Sequence, residues 1–201
     1  NIITKLFSWI VVFLFLEEVS IDNIICIPKN DNYKRFLIGE KGEKELLAIG
    51  LNPSSANENT LDPTSKNIKS IAKNNGFDGW WIVNLYPIRT SNPKNLPKTA
   101  NKIMNLKNIE FINEILISPH YNFSSILCCW GNFVNKRSYL SKNSLRLFKN
   151  ADKLGYKCKS LGLTKEGCPY HPAPMTINRF FKGVKNIRLM DYKSINNKFK
   201  S

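Results

Sequence analysis

Four short stretches of this 201-residue chain carry the residue types that do chemistry. The first, IGLNPSSANENTLDP over residues 49–63, runs from apolar residues straight into Asn52-Pro53-Ser54-Ser55 and reaches Asp62 before Pro63. The others are NLYPIR from Asn84 to Arg89, Trp130-Gly131-Asn132, and Tyr170-His171-Pro172. A primary amide offers a donor and an acceptor side by side, so Asn84 can read the edge of a planar ligand in a bidentate manner. Arg89, with the hydroxyls of Ser54 and Ser55, suits a phosphate group, and Asp62 can serve as a base or a metal ligand. Each residue also has a purely structural use. Asn52-Pro53-Ser54 can be a turn with Asx-type hydrogen bonds, and Asp62 can cap the helix that follows it. Asn84 and His171 can satisfy loop backbone, Arg89 can be a surface ion-pair partner, and Trp130 can be core.

The elements that position these residues follow from hydrophobic pattern and breakers. Strands are expected over Lys44–Leu51, Trp80–Tyr86, Ser125–Trp130 and Cys158–Leu163, each a short apolar run closed by Pro, Gly or Asn. Helices are expected over Thr64–Asn75, with Ile68, Ile71 and Ala72 on one face, over Asn108–Ile117, and over Phe133–Leu154. Strands alternating with helices of this length predict an α/β fold whose parallel sheet is covered on both faces. Ligands of such sheets bind beyond the carboxyl ends of the strands, where all four stretches fall. Residues 31–201 read as a single α/β domain, and residues 1–30 as an N-terminal apolar extension. Within that extension Leu6–Leu16 is apolar but shorter than the ~20 residues a membrane span needs, and no cleavage pattern follows it. It reads as a core element or a leader, and no membrane association is expected.

Thirty basic residues against fifteen acidic ones give a net charge of +15. The excess is uneven: residues 1–100 carry 12 basic and 10 acidic residues, and residues 101–201 carry 18 and 5. Such a field draws in phosphate-bearing polyanions and makes their binding salt-dependent. The competing source of the charge is composition, since 24 of the 30 are Lys in a chain rich in Asn and Ile. The basic series Lys136, Arg137, Lys142, Arg146, Lys149, Lys153 is either a nucleic-acid face or a solvated one. Five cysteines form no CxxC pair and no ligand spacing with the two histidines, which argues against zinc and disulfides and for a reducing cytoplasm. No cofactor or metal is expected, and the chain is expected to act as a monomer.

GLNPSSANENTLDPT, NLYPIRTSNPKNL, CWGN and PYHPAP, in that order, resemble the family catalogued as domain of unknown function 1643 over roughly residues 33–190. More remotely, Gly50-Leu51-Asn52-Pro53, Asn84, Trp130-Gly131 and His171-Pro172-Ala173-Pro174 are similar to the ordered motifs of uracil-DNA glycosylases. That resemblance implies a three-layer α/β/α sandwich with a four-stranded parallel sheet, and cleavage of an N-glycosidic bond. By the same resemblance Asn52 orients a water, His171 donates to the base carbonyl that gains charge, and Asn84 reads the base edge. Tyr86 and Tyr170 are the rings available to stack on the base, and Arg89 and Arg137 the cations available to phosphate. The chain departs from the glycosylases at Ser54, where Gly is usual, and in Asp62-Pro63-Thr64, which belongs to the uncharacterised family. The expected function is therefore nucleobase or nucleotide recognition with N-glycosidic hydrolysis. The alternatives are a non-catalytic nucleic-acid or nucleotide-binding module, and a hydrolase or transferase acting on another phosphorylated small molecule.

Overall fold

The computed structural model describes residues 24–193. The apolar stretch Leu6–Leu16 lies outside the described residues.

Three strands of continuous apolar character, β3 (Glu45–Gly50), β4 (Gly79–Asn84) and β5 (Phe123–Cys128), form the middle of the sheet. β3 pairs in parallel with both β4 and β5, and β5 pairs in parallel with β6 (Cys158–Ser160). Three further strands extend the sheet antiparallel: β1 (Ile25–Ile27) and β2 (Leu37–Glu40) beyond β4, and β7 (Met190–Asp191) beyond β6. The full order is β1-β2-β4-β3-β5-β6-β7, so the expected four-stranded parallel sheet is corrected to a mixed sheet of seven strands. The added strands escaped the sequence because two have only two or three residues, too few for alternation to show. β1 also belongs to the sheet although it falls in the stretch assigned to the extension.

Helices cover both faces. α1 (Pro63–Asn74) and α4 (Pro174–Phe181) bury Ile68, Ile71, Ala72 and Ile177 against Leu46, Ala48, Trp80 and Ile82. α2 (Lys102–Ile117) and α3 (Ser138–Lys153) bury Ile109, Ile112, Leu140 and Leu147 against Leu47, Ile49, Trp81 and Val83 on the opposite face. The consecutive residues Trp80 and Trp81 thus anchor different layers, as strand alternation requires. The division follows from a single hand of crossover. From β3 the chain steps one way to β4 and then back past β3 to β5, so the connecting helices must change face at that reversal.

Helix boundaries differ from the sequence expectation in two places. α2 begins at Lys102, capped by the Asn101 side chain on the Met104 amide, six residues before its expected start. Residues 133–154 are not one helix: a 3-10 turn spans Asn132–Lys136, Arg137 is extended, and only then does α3 start. The isolated extended residue breaks the i to i+4 hydrogen-bond ladder, an event that periodicity alone does not reveal.

Glu45, fully buried at the head of β3, accepts the Gly42 amide at 3.1 Å and the Asn122 amide at 2.6 Å. It joins the loops entering β3 and β5. Glu45→Ala takes the acceptor from two partly buried amides, and a urea unfolding curve is expected to show a loss of about 2–4 kcal/mol, with Glu45→Gln keeping part of it. A loss under about 1 kcal/mol would mean that solvent replaces the carboxylate there.

Candidate functional site at the carboxyl edge of the sheet

Because β3, β4, β5 and β6 are parallel, the loops that leave them gather at one edge. The reversal of strand order lies between β3 and β5, the place where open α/β sheets form a crevice. Asn52 follows β3, Asn84 closes β4, Gly131 follows β5, and His171 lies in the loop between β6 and α4.

Asn52 is held by its nitrogen. Nδ2 donates to the Pro53 and Thr90 carbonyls, each at 2.8 Å. Both amide hydrogens are then engaged, so Oδ1 is fixed as an acceptor, and no described donor reaches it. Asn84 is nearly fully buried. Its Oδ1 accepts from Arg35 at 3.3 Å and its main-chain oxygen from Asn108 at 2.9 Å. The expected bidentate reading is therefore narrowed to the amide nitrogen. That nitrogen passes so close to β3 that a Cβ at Gly50 would come within 2.7 Å of it, which only glycine avoids.

His171 is packed under Gly131, whose φ of +70° suits glycine and where an added Cβ would meet the His171 Cβ at 3.2 Å. Its loop is tied to α1 by Asn67, which donates to the Pro172 carbonyl at 2.9 Å. The residue is half-buried, and desolvation of the ring pushes the imidazole down to about 4, with the Asp62 charge opposing, so it is neutral at pH 7. Among the described residues no hydrogen bond holds its ring. Asp62 itself caps α1, accepting the Ser65 amide at 2.8 Å and the Ala56 amide at 3.4 Å. The capping use is realised, and its charge remains within reach of His171 and Arg35.

Arg89 is built into the scaffold. Nε donates to the Asp31 and Lys34 carbonyls and Nη1 to those of Ser54 and Ala56, at 2.7–3.3 Å. Arg35, 2 % exposed, shares the Ala56 carbonyl at 3.1 Å. Burial pushes Arg35 down to about 10, and the Arg89 charge acts in the same direction. In front of this pair lies a hollow of about 300 Å³ lined by Ser54, Ser55, Arg89, Thr90, Ser91 and two asparagines, Asn32 and Asn57. Three of the four residues expected to meet phosphate therefore share one polar hollow. The fourth does not: Arg137 donates to the Lys94, Leu96, Lys136 and Pro97 carbonyls, in the loop before α2 and at its own helix start.

The two tyrosines separate. Tyr86 is core, 1 % exposed, packed on Tyr139 at 5.0 Å with its hydroxyl accepting the Asn101 amide. It offers no ring to a ligand, because the apolar side of the residue after a buried strand was taken by α2 and α3. Tyr170 stays at the edge, half-buried beside Phe180 at 4.9 Å. Trp130 is also core. Sequence reasoning missed Arg35, Asn108 and Asn143. The asparagines had a signal, since each is a polar residue on the apolar stripe of its helix, and both donate to main-chain oxygens at residues 84–85. Arg35 had none. Among the described residues no three His, Cys, Asp or Glu side chains group to hold a metal ion, and no helix is long and apolar enough to cross a membrane.

A family model described as "Protein of unknown function (DUF1643)" matches residues 34–173. No curated protein matches the chain, and no solved structure does.

Two measurements check this geometry. Arg89→Ala leaves the Asp31, Lys34 and Ser54 carbonyls without their donor and Ala56 with Arg35 alone, and a stability loss above about 3 kcal/mol is expected, with no rescue by Arg89→Lys because one ammonium cannot span them. Wild-type stability in either variant would remove Arg89 from the scaffold. Proton NMR should show His171 titrating near 4, below the unfolded value of about 6.5. Since the folded value is depressed, its contribution to stability is complete above about pH 6.5 and is lost as the pH falls toward 4. A midpoint at or above 6.5 would mean a solvated ring.

Proposed function

Since the chain belongs to the family described as Protein of unknown function (DUF1643), which brings no activity with it, we propose a function from the crevice itself. The protein recognises a nucleobase carried on a nucleotide or on DNA and hydrolyses its N-glycosidic bond, on a fold similar to that of the uracil-DNA glycosylases.

The observation that carries this reading is the pairing, at one sheet edge, of an acceptor that cannot turn with a donor that carries no charge. Asn52 Oδ1 is fixed by the two hydrogen bonds of its amide nitrogen. His171 is neutral at pH 7. A water held on Asn52 Oδ1 adds to the sugar C1′ as that carbon gains cationic character. The C1′–N bond breaks, its electron pair goes to the base, and the charge that gathers on the base carbonyl is stabilised by an imidazole N–H. Asn52 orients the water without taking its proton, which passes to solvent. Asn84 offers its amide nitrogen to the base edge, Tyr170 supplies a ring beside it, and the hollow of Ser54, Ser55 and Arg89 receives a phosphate of the same nucleotide. The Arg89 guanidinium in its wall, with buried Arg35 behind it, makes that hollow electropositive.

A second reading, a binding module without catalysis, is favoured by one observation. Asp62, the carboxylate whose charge acts on His171, has both oxygens engaged by backbone amides of its own loop and helix, so it is not free to act as a general base.

The two readings separate at His171. Base release is measured over uracil-, mismatched-thymine- and alkylated-base DNA and over free nucleotides. His171→Ala is expected to lower turnover by ~3–4 kcal/mol of transition-state stabilisation with substrate affinity nearly unchanged. Under the binding reading no substrate releases base, and the same change weakens affinity by roughly 1–3 kcal/mol. A folded variant with unaltered binding, from a wild type that releases no base, would defeat both.

A further inference from the structure

α4 leaves the crevice directly after the His171 loop, and the surface it opens begins at Tyr170, on the crevice edge, and extends beyond the crevice. The Tyr170 and Phe180 rings lie 4.9 Å apart at 34°, and Phe180 is 51 % exposed. Tyr170 also abuts Gly162, where an added Cβ would come within 3.7 Å of the ring and 3.4 Å of the Met190 methyl. With exposed Leu163 and Met190, these side chains form an apolar platform at the carboxyl end of β6. The residue before Phe180 and the chain between Phe180 and Met190 carry Arg179, Lys182, Lys185 and Arg188, all exposed. Among the described residues none of the four is in an ion pair, and the one acid between residues 174 and 193, Asp191, is paired with Lys159 at 2.6 Å. The Arg179 guanidinium lies 5.3 Å from the centre of the Phe180 ring.

We propose that this surface holds a single strand of nucleic acid, so that the base in the crevice is one within a polynucleotide. The inference rests on the base-recognising reading above and names its substrate class. Open rings accept the π-face of any base, cations beside them meet the phosphates between bases, and Arg beside an aromatic ring reinforces both contacts. A lipid surface is a poorer match, because interfacial helices bury a long apolar face and α4 has eight residues. The exposed cations of α3, Lys142, Arg146, Lys149 and Lys153, have no exposed ring among them. They offer charge alone. Phe180, Met190 and the four cations lie past residue 173, where the family match ends, whereas Leu163 and Tyr170 lie within it.

The test is fluorescence anisotropy with a labelled single-stranded oligothymidylate of about 15 nucleotides, its blunt duplex with oligoadenylate, and thymidine monophosphate as competitor. The single strand is expected to bind at least about tenfold tighter than the duplex or the mononucleotide. Phe180→Ala should weaken the strand about tenfold or more while mononucleotide binding stays unchanged. Phe180→Leu, which keeps apolar packing on Tyr170, should lose the same affinity and so exclude unfolding as the cause. Lys182→Glu with Lys185→Glu should flatten the dependence of log affinity on log salt by about 0.7 for each phosphate no longer neutralised. The inference is overturned if both Phe180 variants bind the strand as the wild type does. It is equally overturned if Lys142→Glu with Lys149→Glu removes more affinity than the α4 pair, or if phosphatidylserine vesicles displace the strand. Mononucleotide binding without tighter binding of the strand would sink this inference and leave base recognition standing; no binding of either would sink both.

Discussion

Two guanidinium groups meet at one carbonyl oxygen, and the whole crevice depends on that meeting. Ala56 O accepts from Arg35 and from Arg89. Like charges side by side in a low-dielectric interior are costly unless every donor is engaged and counter-charge lies near. The structure meets the cost with carbonyls from the segment before β2 and from the loop after β3, with the Asn84 amide oxygen, and with the Asp62 carboxylate at the head of α1. Among the described residues one of these donors, Arg35 Nε, is buried without a partner. The loop 52–56 therefore has its shape dictated from behind by charge. Its polar front, Asn52 Oδ1 and the serine hydroxyls, is what that fixed shape leaves over.

The second constraint is topological. A chain that steps from β3 to β4 and then back across β3 to β5 must part its loops at the reversal, and the gap there belongs to neither neighbour. Asn52 and Gly131 flank this gap, and His171 is brought to it by the return from β6. α1 then couples the two sides. Its cap, Asp62, acts on the imidazole through its charge, and farther along the helix Asn67 donates to the Pro172 carbonyl.

How much of this was legible in the sequence depended on the range of the interaction. The parallel strands were readable because a strand buried on both faces has no polar alternation to confuse. α1 was readable because Asp62-Pro63 both starts a helix and excludes other structure. Edge strands of two or three residues are defined by their neighbours and leave no local trace. The break at Arg137 likewise depends on carbonyls at Lys94 to Pro97, about forty residues away. The residues of the crevice edge were legible as unusual polar groups at strand ends. Their division of labour was not, because whether an arginine binds a ligand or a loop is decided by which carbonyls surround it. Arg89 and Arg137 look alike in the sequence; one backs a polar hollow and the other ties down a turn.

The adjacent indoles on β4 give the molecule an optical property. Trp80 donates its Nε1 hydrogen to the Glu40 carboxylate at 2.9 Å, whereas the Trp81 Nε1, on the other layer, is buried with no acceptor among the described residues, its ring edge-on to that of Tyr121 at 5.1 Å. One emitter senses a nearby negative charge and the other a dry aromatic wall, though a single peptide bond joins them. β4 thus carries one indole in each layer, so loosening of the α1 layer and loosening of the α2–α3 layer change the surroundings of different indoles.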